Sequence, residues 1–140
     1  HSVHIVPIIG WSDLHRGRVM TADDIRNIEP KSRVSFGRKV GDLVACLPIV
    51  DDSMVSPTAD PGSLYEGDLV VVDFKAKVRP GKMTLIYDET ERAHCIRRAE
   101  YVDRDTIRFV AANPVYPAIT MKHTSRNILG IITNIQRRVA

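Results

Sequence analysis

The sequence predicts a mostly β domain, built from short and strongly bent strands with little helix. Apolar runs such as Leu43–Val50 and Asp68–Asp73 are short and bounded by turn residues, as strands are. Gly, Pro, Asp and Asn recur at close intervals between such runs, and only one segment opens like a helix. At 140 residues, 44% hydrophobic and 26% charged, the chain suits one domain with a real core. A net charge of +3 is mild, and neither a basic stripe nor a reading helix marks a nucleic-acid surface. No apolar run approaches a membrane span and no signal-peptide pattern opens the chain.

The elements follow in order. Val3–Trp11 is apolar and β-prone, and Pro7 marks an edge strand or a strand entry. Residues 12–41 are polar and poorly periodic, with Arg16, Arg18, Arg33, Arg38 and Lys39 read as a solvated surface. Within them Thr21-Ala22-Asp23-Asp24 is a capping-box pattern that starts a short helix through Ile28, stopped by Pro30. Leu43–Val50 is a buried strand, and Asp68–Asp73 is a second one. Lys75–Lys82 turns around Pro80-Gly81 into the strand Met83–Tyr87, and Asp88–Glu91 turns the chain back into Ala93–Ala99. Thr106–Ala112 alternates as a further strand, and Asn113–Pro117 is a rigid double-proline turn. Ile128–Thr133, continued by Asn134–Val139, closes the chain as one or two strands.

Cys46 and Cys95 lie far apart in apolar segments and read as buried free thiols of a cytosolic protein. No histidine pair has metal-ligand spacing in a credible helix, so neither metal nor cofactor is expected.

The stretch DDSMVSPTADPGSLYEGDLVVVD (51–73) places Ser53 at a sharp break after an apolar strand. Its Ser-Met-x-x-Pro-Thr and Glu-Gly-Asp-Leu-Val-Val-Val-Asp, with Arg79-Pro80-Gly81 and Ala112-Asn113-Pro114-Val115-Tyr116-Pro117 following in order, resemble the carboxy-terminal domain of LexA and of lambdoid phage repressors. That family comprises self-cleaving serine peptidases with a Ser/Lys dyad. The resemblance implies a LexA/signal-peptidase-like β fold over residues 1–140. Residues 1–11 would be its first strand, 12–42 a former cleavage-loop region and 43–140 the peptidase-like core. The helix-turn-helix DNA-binding domain that precedes such a segment in the family is not found in this sequence.

The resemblance also says what the chemistry needs. A serine hydroxyl attacks only when a neighbouring base takes its proton, and a desolvated lysine serves when burial keeps it neutral. The stretch corresponding to that lysine reads His94-Cys95-Ile96-Arg97-Arg98-Ala99. Strand alternation puts Arg97 in the lysine's place, and an ungapped alignment puts Ile96 there. Arginine does not become a neutral base in a protein; it can donate hydrogen bonds to Ser53 and leave an inert site. Lys75, Lys77, Lys82 and Lys122 remain as rescuers, all in turns or loops. No Ala-Gly or Cys-Gly bond exists for self-cleavage; Arg16-Gly17 and Phe36-Gly37 are the nearest substitutes. Ser53 then reads as a turn-capping serine, with Met54 filling the core, Pro57 fixing the turn and Asp52 a solvated or turn-bonding carboxylate.

The expected function is the oligomerisation and regulatory domain of a phage-type transcriptional repressor, cytoplasmic, probed by operator DNA only through the missing amino-terminal domain. A symmetric dimer or higher homo-oligomer would set the spacing of the DNA-binding heads, with Ile131, Ile132 and Ile135 as its candidate surface. An antirepressor protein would release it. The alternative is an active self-cleaving repressor, stimulated by RecA, using Ser53 and another lysine. A membrane-anchored signal-peptidase-like enzyme is a more distant option, disfavoured by the lack of an anchor.

Overall fold

A strand with apolar side chains on both faces is stable only when both faces are covered, and the runs at 43–50 and 68–73 demand such a place. The structure is a computed structural model that describes residues 4–58, 60 and 62–137. Its strands are β1 (His4–Ile8), β2 (Ser32–Phe36), β3 (Val44–Pro48), β4 (Leu69–Asp73), β5 (Met83–Asp88), β6 (Ala93–Tyr101), β7 (Thr106–Val110), β8 (Ile119–Lys122) and β9 (Ile128–Gln136). They form one open mixed sheet in the order β2-β1-β3-β4-β9-β5-β6-β7-β8. Strand accounts for 40% and helix for 7%, so the domain is mostly β. All pairings are antiparallel except β1 against β3, which meet at Ile8 and Cys46. Pro7 therefore lies just before that contact, where β1 needs no amide on its β3 side. Val3, at the start of the expected first strand, and Val139, at the end of the last, lie outside the described residues.

The two-faced strands explain their own sequences. Ala45 and Leu47 of β3, with Val70 and Val72 of β4, enter the main core. Cys46 and Val71 point the other way, into a cluster with Val6 and Val40. Leu85 and Tyr87 of β5 also enter the main core, while Ile86 joins Ala99, Ile107 and Phe109 in a third cluster.

The bends come from β9. Val71 and Val72 pair with Asn134 and Ile132, leaving Thr133 over, and Leu85 and Ile86 pair with Gly130 and Ile128, leaving Leu129 over. Each extra residue is a bulge that sharpens twist and bend. Gly130 makes the close approach possible, because a Cβ there would sit 2.6 Å from the Asp73 carbonyl oxygen.

Helix α1 (Ala22–Asn27) starts as its capping box requires. The Asp24 amide donates to Thr21 Oγ1 at 3.2 Å and the Thr21 amide to Asp24 Oδ2 at 2.9 Å. The bond from the Thr21 amide first, and Arg18 second, hold the Asp24 carboxyl well below its usual range.

Three expectations are corrected, and one strand is added. Residues 12–41 are more than a solvated surface, since Leu14 and Met20 are buried in the main core and Ser32–Phe36 pairs with β1 as β2. Its alternation is short, only the half-buried Val34 and Phe36 among the exposed Ser32, Arg33 and Ser35. The short strand β8 is an addition between the double-proline turn and Ile128, marked only by the half-buried Ile119 and Met121. Cys95 is half-buried rather than buried, and both thiols are free. Finally, Ile131 and Ile132 are 2% and 7% exposed on a strand between β4 and β5, so as core residues they offer no surface to a partner. Ile135 is partly buried against the main core.

Candidate functional site

Ser53 is placed by the end of β3. Ile49 stays bonded to the 65–68 turn, donating to the Asp68 carbonyl at 2.8 Å and accepting from Gly67 at 3.0 Å. The chain then breaks outward at Val50–Asp52 and turns in again, leaving Ser53 only 3% exposed over Met54 in the core. Asp51 makes this turn. Its Oδ1 accepts both the Ser53 amide at 3.0 Å and the Ser53 hydroxyl at 2.7 Å, the short-range bonding by which Asp holds turns. The serine is thus capped by a side chain rather than capping the backbone itself.

Strand β6 delivers Arg97, paired in register with Thr84 of β5 and 6% exposed. Its Nη1 donates to Ser53 Oγ at 3.0 Å and to the Ile96 carbonyl at 2.8 Å. Among the described residues no carboxylate forms an ion pair with this guanidinium, and its buried Nε has no acceptor. The Tyr116 ring lies 5.4 Å from its central carbon, a cation–π contact that offsets part of the desolvation. Arg97, Ser53 and Asp51 form a line in which the hydroxyl bridges a buried cation to an exposed carboxylate.

The double-proline turn clamps this line from outside. The Asn113 amide donates to the Ser53 carbonyl at 3.0 Å, and the Tyr116 hydroxyl donates to Asp52 Oδ1 at 2.7 Å. That bond to Asp52 pushes the Tyr116 phenol up. The Asp52 carboxylate therefore bonds this distant segment rather than its own turn.

Chemically, Ser53 Oγ has its proton on Asp51 and a lone pair on Arg97, and no neutral amine is at hand. A cavity of about 410 Å³ opens beside it, lined by Leu14, Ile49, Met54, Tyr87 and Ile96. A second of about 370 Å³ lies along Arg97, Tyr116 and Cys95. No lysine lines either one. Lys75, Lys77, Lys82 and Lys122 are all exposed, and the first two line a different cavity. Burial pushes the Cys95 thiol up to about 11, which leaves it protonated at neutral pH. Among the described residues no group of three or more His, Cys, Asp or Glu could hold a metal.

Residues 11–16 lie over the larger cavity. Trp11 Nε1 donates to the Pro48 carbonyl at 2.8 Å, and the His94 ring bonds the His15 carbonyl through Nε2 at 3.0 Å. The Arg16 guanidinium sits 5.8 Å from the Tyr87 ring. Burial lowers the His94 pKa from its ordinary 6.5, the bond to His15 raises it and Arg16 lowers it further, for a net decrease. The native state then binds fewer protons than the unfolded chain just below that value, so stability falls as pH falls through the window. The urea midpoint should therefore drop between pH 7.5 and 5.5, and His94→Gln should flatten that drop. An unaltered slope in the variant would remove His94 from the account.

The structure thus brings together Ser53 and Arg97, and sets Ile131 and Ile132 apart from both in the core. Asp51, Asn113 and Tyr116 are the partners missed by sequence reasoning. Asp51 had a signal, a carboxylate two residues before the serine; Asn113 and Tyr116 lie in the motif that carries the resemblance, but nothing in it gave their contacts with residues 52 and 53.

A family model described as Peptidase S24-like matches residues 7–133. A search of curated proteins finds no match.

Proposed function

The chain belongs to the Peptidase S24-like family, the family of LexA and phage-repressor carboxy-terminal domains, and we propose that it is a non-cleaving member, the assembly and regulatory domain of a cytoplasmic phage-type repressor. The observation that carries this reading is the 3.0 Å bond from Arg97 Nη1 to Ser53 Oγ. A guanidinium stays charged, so it polarises the hydroxyl without ever taking its proton. The lack of lysine along either neighbouring cavity supports the same reading. Asp51 adds to it by holding the Ser53 amide, a donor that an attacked carbonyl would need.

Assembly as a homodimer would place two amino-terminal heads on the half-sites of an operator. Strand β5 pairs with β9 only as far as Ile131, whereas β4 continues to Gln136. Among the described residues, the edge of β9 beyond Ile132 therefore has no strand on its β5 side. This stretch, which includes Ile135, is the better candidate for two-fold pairing. Without self-cleavage, release from DNA requires a partner such as an antirepressor protein. The rival reading is RecA-stimulated self-cleavage, with residues 11–16 already seated over the cavity beside Ser53.

Alkaline incubation separates the two, because high pH favours any neutral amine base. Read by intact mass, the parent chain and Ser53→Ala should both remain whole. Fragments from the parent but not from Ser53→Ala would overturn the non-cleaving reading and locate the scissile bond.

A further inference from the structure

A third cavity, of about 520 Å³, lies apart from Ser53 and shares no lining residue with either cavity there. Its apolar floor is the half-buried Val78 and Ile128, set over the buried Phe74 and Leu129. Its rim carries the exposed Lys75 and Lys77 together with His123, and none of its lining residues is Asp or Glu. The loop continues through Arg79 and Lys82, so the segment Lys75–Lys82 holds four cations and no acid.

Two nearby carboxylates, Asp73 and Asp42, are already engaged, while Asp105 accepts the His123 amide through its backbone carbonyl at 3.0 Å. Asp73 Oδ1 accepts the amides of Lys75 at 2.9 Å and Ala76 at 3.3 Å. Asp42, which feels Lys75 from a distance, pairs with Lys39 at 2.7 Å. Among the described residues neither Lys75 nor Lys77 is in an ion pair. The Nε2 of His123 is buried without a hydrogen-bond partner. The walls are tied in place, since Tyr101 donates to the Val78 carbonyl at 2.9 Å and packs edge-on against His123 at 4.7 Å. Such a cavity needs little ordering when a ligand enters.

We propose that this cavity docks an acidic peptide segment of a partner protein, its carboxylates on Lys75 and Lys77 and an apolar side chain on the Val78–Ile128 floor. Exposed lysine–carboxylate pairs are individually weak, so the apolar floor has to supply the rest of the affinity. A nucleic acid fits less well. It would use the cations but leave the floor empty, and the exposed Tyr101 ring is already engaged with His123.

The test is an amide NMR titration of the chain with the capped peptide Ac-Glu-Glu-Leu-Glu-Glu-NH2. Amides of Lys75, Lys77, Val78, His123 and Ser125 should shift, and less so as salt is raised. The double variant Lys75→Glu/Lys77→Glu, whose spectrum also reports that it folds, should bind at least about tenfold more weakly, as like charges then face each other. The Gln-Gln-Leu-Gln-Gln counterpart should bind no better than that variant. Shifts absent from these amides, or equal for the Gln peptide, would overturn the proposal. So would a single-stranded oligonucleotide that shifts the same amides at lower concentration, which would make the cavity a nucleic-acid site.

Discussion

Arg97→Lys should make Ser53 a nucleophile, acetylated by p-nitrophenyl acetate at alkaline pH at least about 100-fold faster than the parent chain, the lower end of what a positioned base contributes. The substitution keeps a long stem and exchanges a permanent cation for an amine that can be neutral. The site is suited to neutralise it, being 6% exposed and without an ion-paired carboxylate among the described residues. Desolvation then pulls the introduced lysine below its free value of about 10.4. The neutral amine takes the hydroxyl proton as Oγ bonds to the acetyl carbon, and p-nitrophenolate leaves with its electron pair. Asp51 should limit the gain, because it occupies the Ser53 amide; adding Asp51→Gly should raise the rate again. The variant should also gain stability as pH rises. Its native state binds fewer protons than the unfolded chain between the two pKa values, and in that window stability climbs with pH. Acetylation that persists at equal rate in Ser53→Ala/Arg97→Lys would show that another group reacts. No gain over the parent would show that the missing base is not what keeps Ser53 inert.

What the sequence revealed of this site follows the range of the interactions. Ser53 and its strand were legible because a two-faced apolar run ending in a Pro- and Gly-rich break is a local pattern. Arg97 was legible only through the family resemblance, with strand alternation favouring it over Ile96, and the structure places its guanidinium on Ser53. Asp51 was partly legible, since its bonds span two residues. Tyr116 and Asn113 were not, because their contacts with residues 52 and 53 depend on how β7 and β8 return across the sheet. The same limit explains β9. Its apolar residues would read alike at an edge or in the middle, and only the β4 and β5 pairings make Ile131 and Ile132 core. Strand β2 was lost for the opposite reason, two half-buried apolar residues among three exposed polar ones being too few to show a period.

Phe109→Ala should be the most damaging single core change, costing about 3–5 kcal/mol from a domain stability of about 5–15 kcal/mol. Phe109 is fully buried, in a cluster whose other fully enclosed members are Ile86, Ala99 and Ile107. Ala99, its register partner on β6, is too small to fill the space. The loss should not spread evenly, because this cluster lies apart from the main core and is what secures β7 and β8 to β6. Local opening of that hairpin should come first. The turn between β7 and β8 carries Asn113 and Tyr116, so the Ser53 carbonyl and Asp52 lose their outer clamp with it. Hydrogen exchange should therefore accelerate in β7, β8 and the Ser53 turn while β3, β4 and β9 keep their protection. Val115→Ala in the same turn, at a side chain 83% exposed, should stay within about 0.5 kcal/mol. A Phe109→Ala chain that loses under about 1 kcal/mol would imply that the cluster collapses around the missing ring. Equal loss of protection in every strand would imply that the sheet opens as one unit, and that Ser53 is held by the whole fold rather than by its neighbouring hairpin.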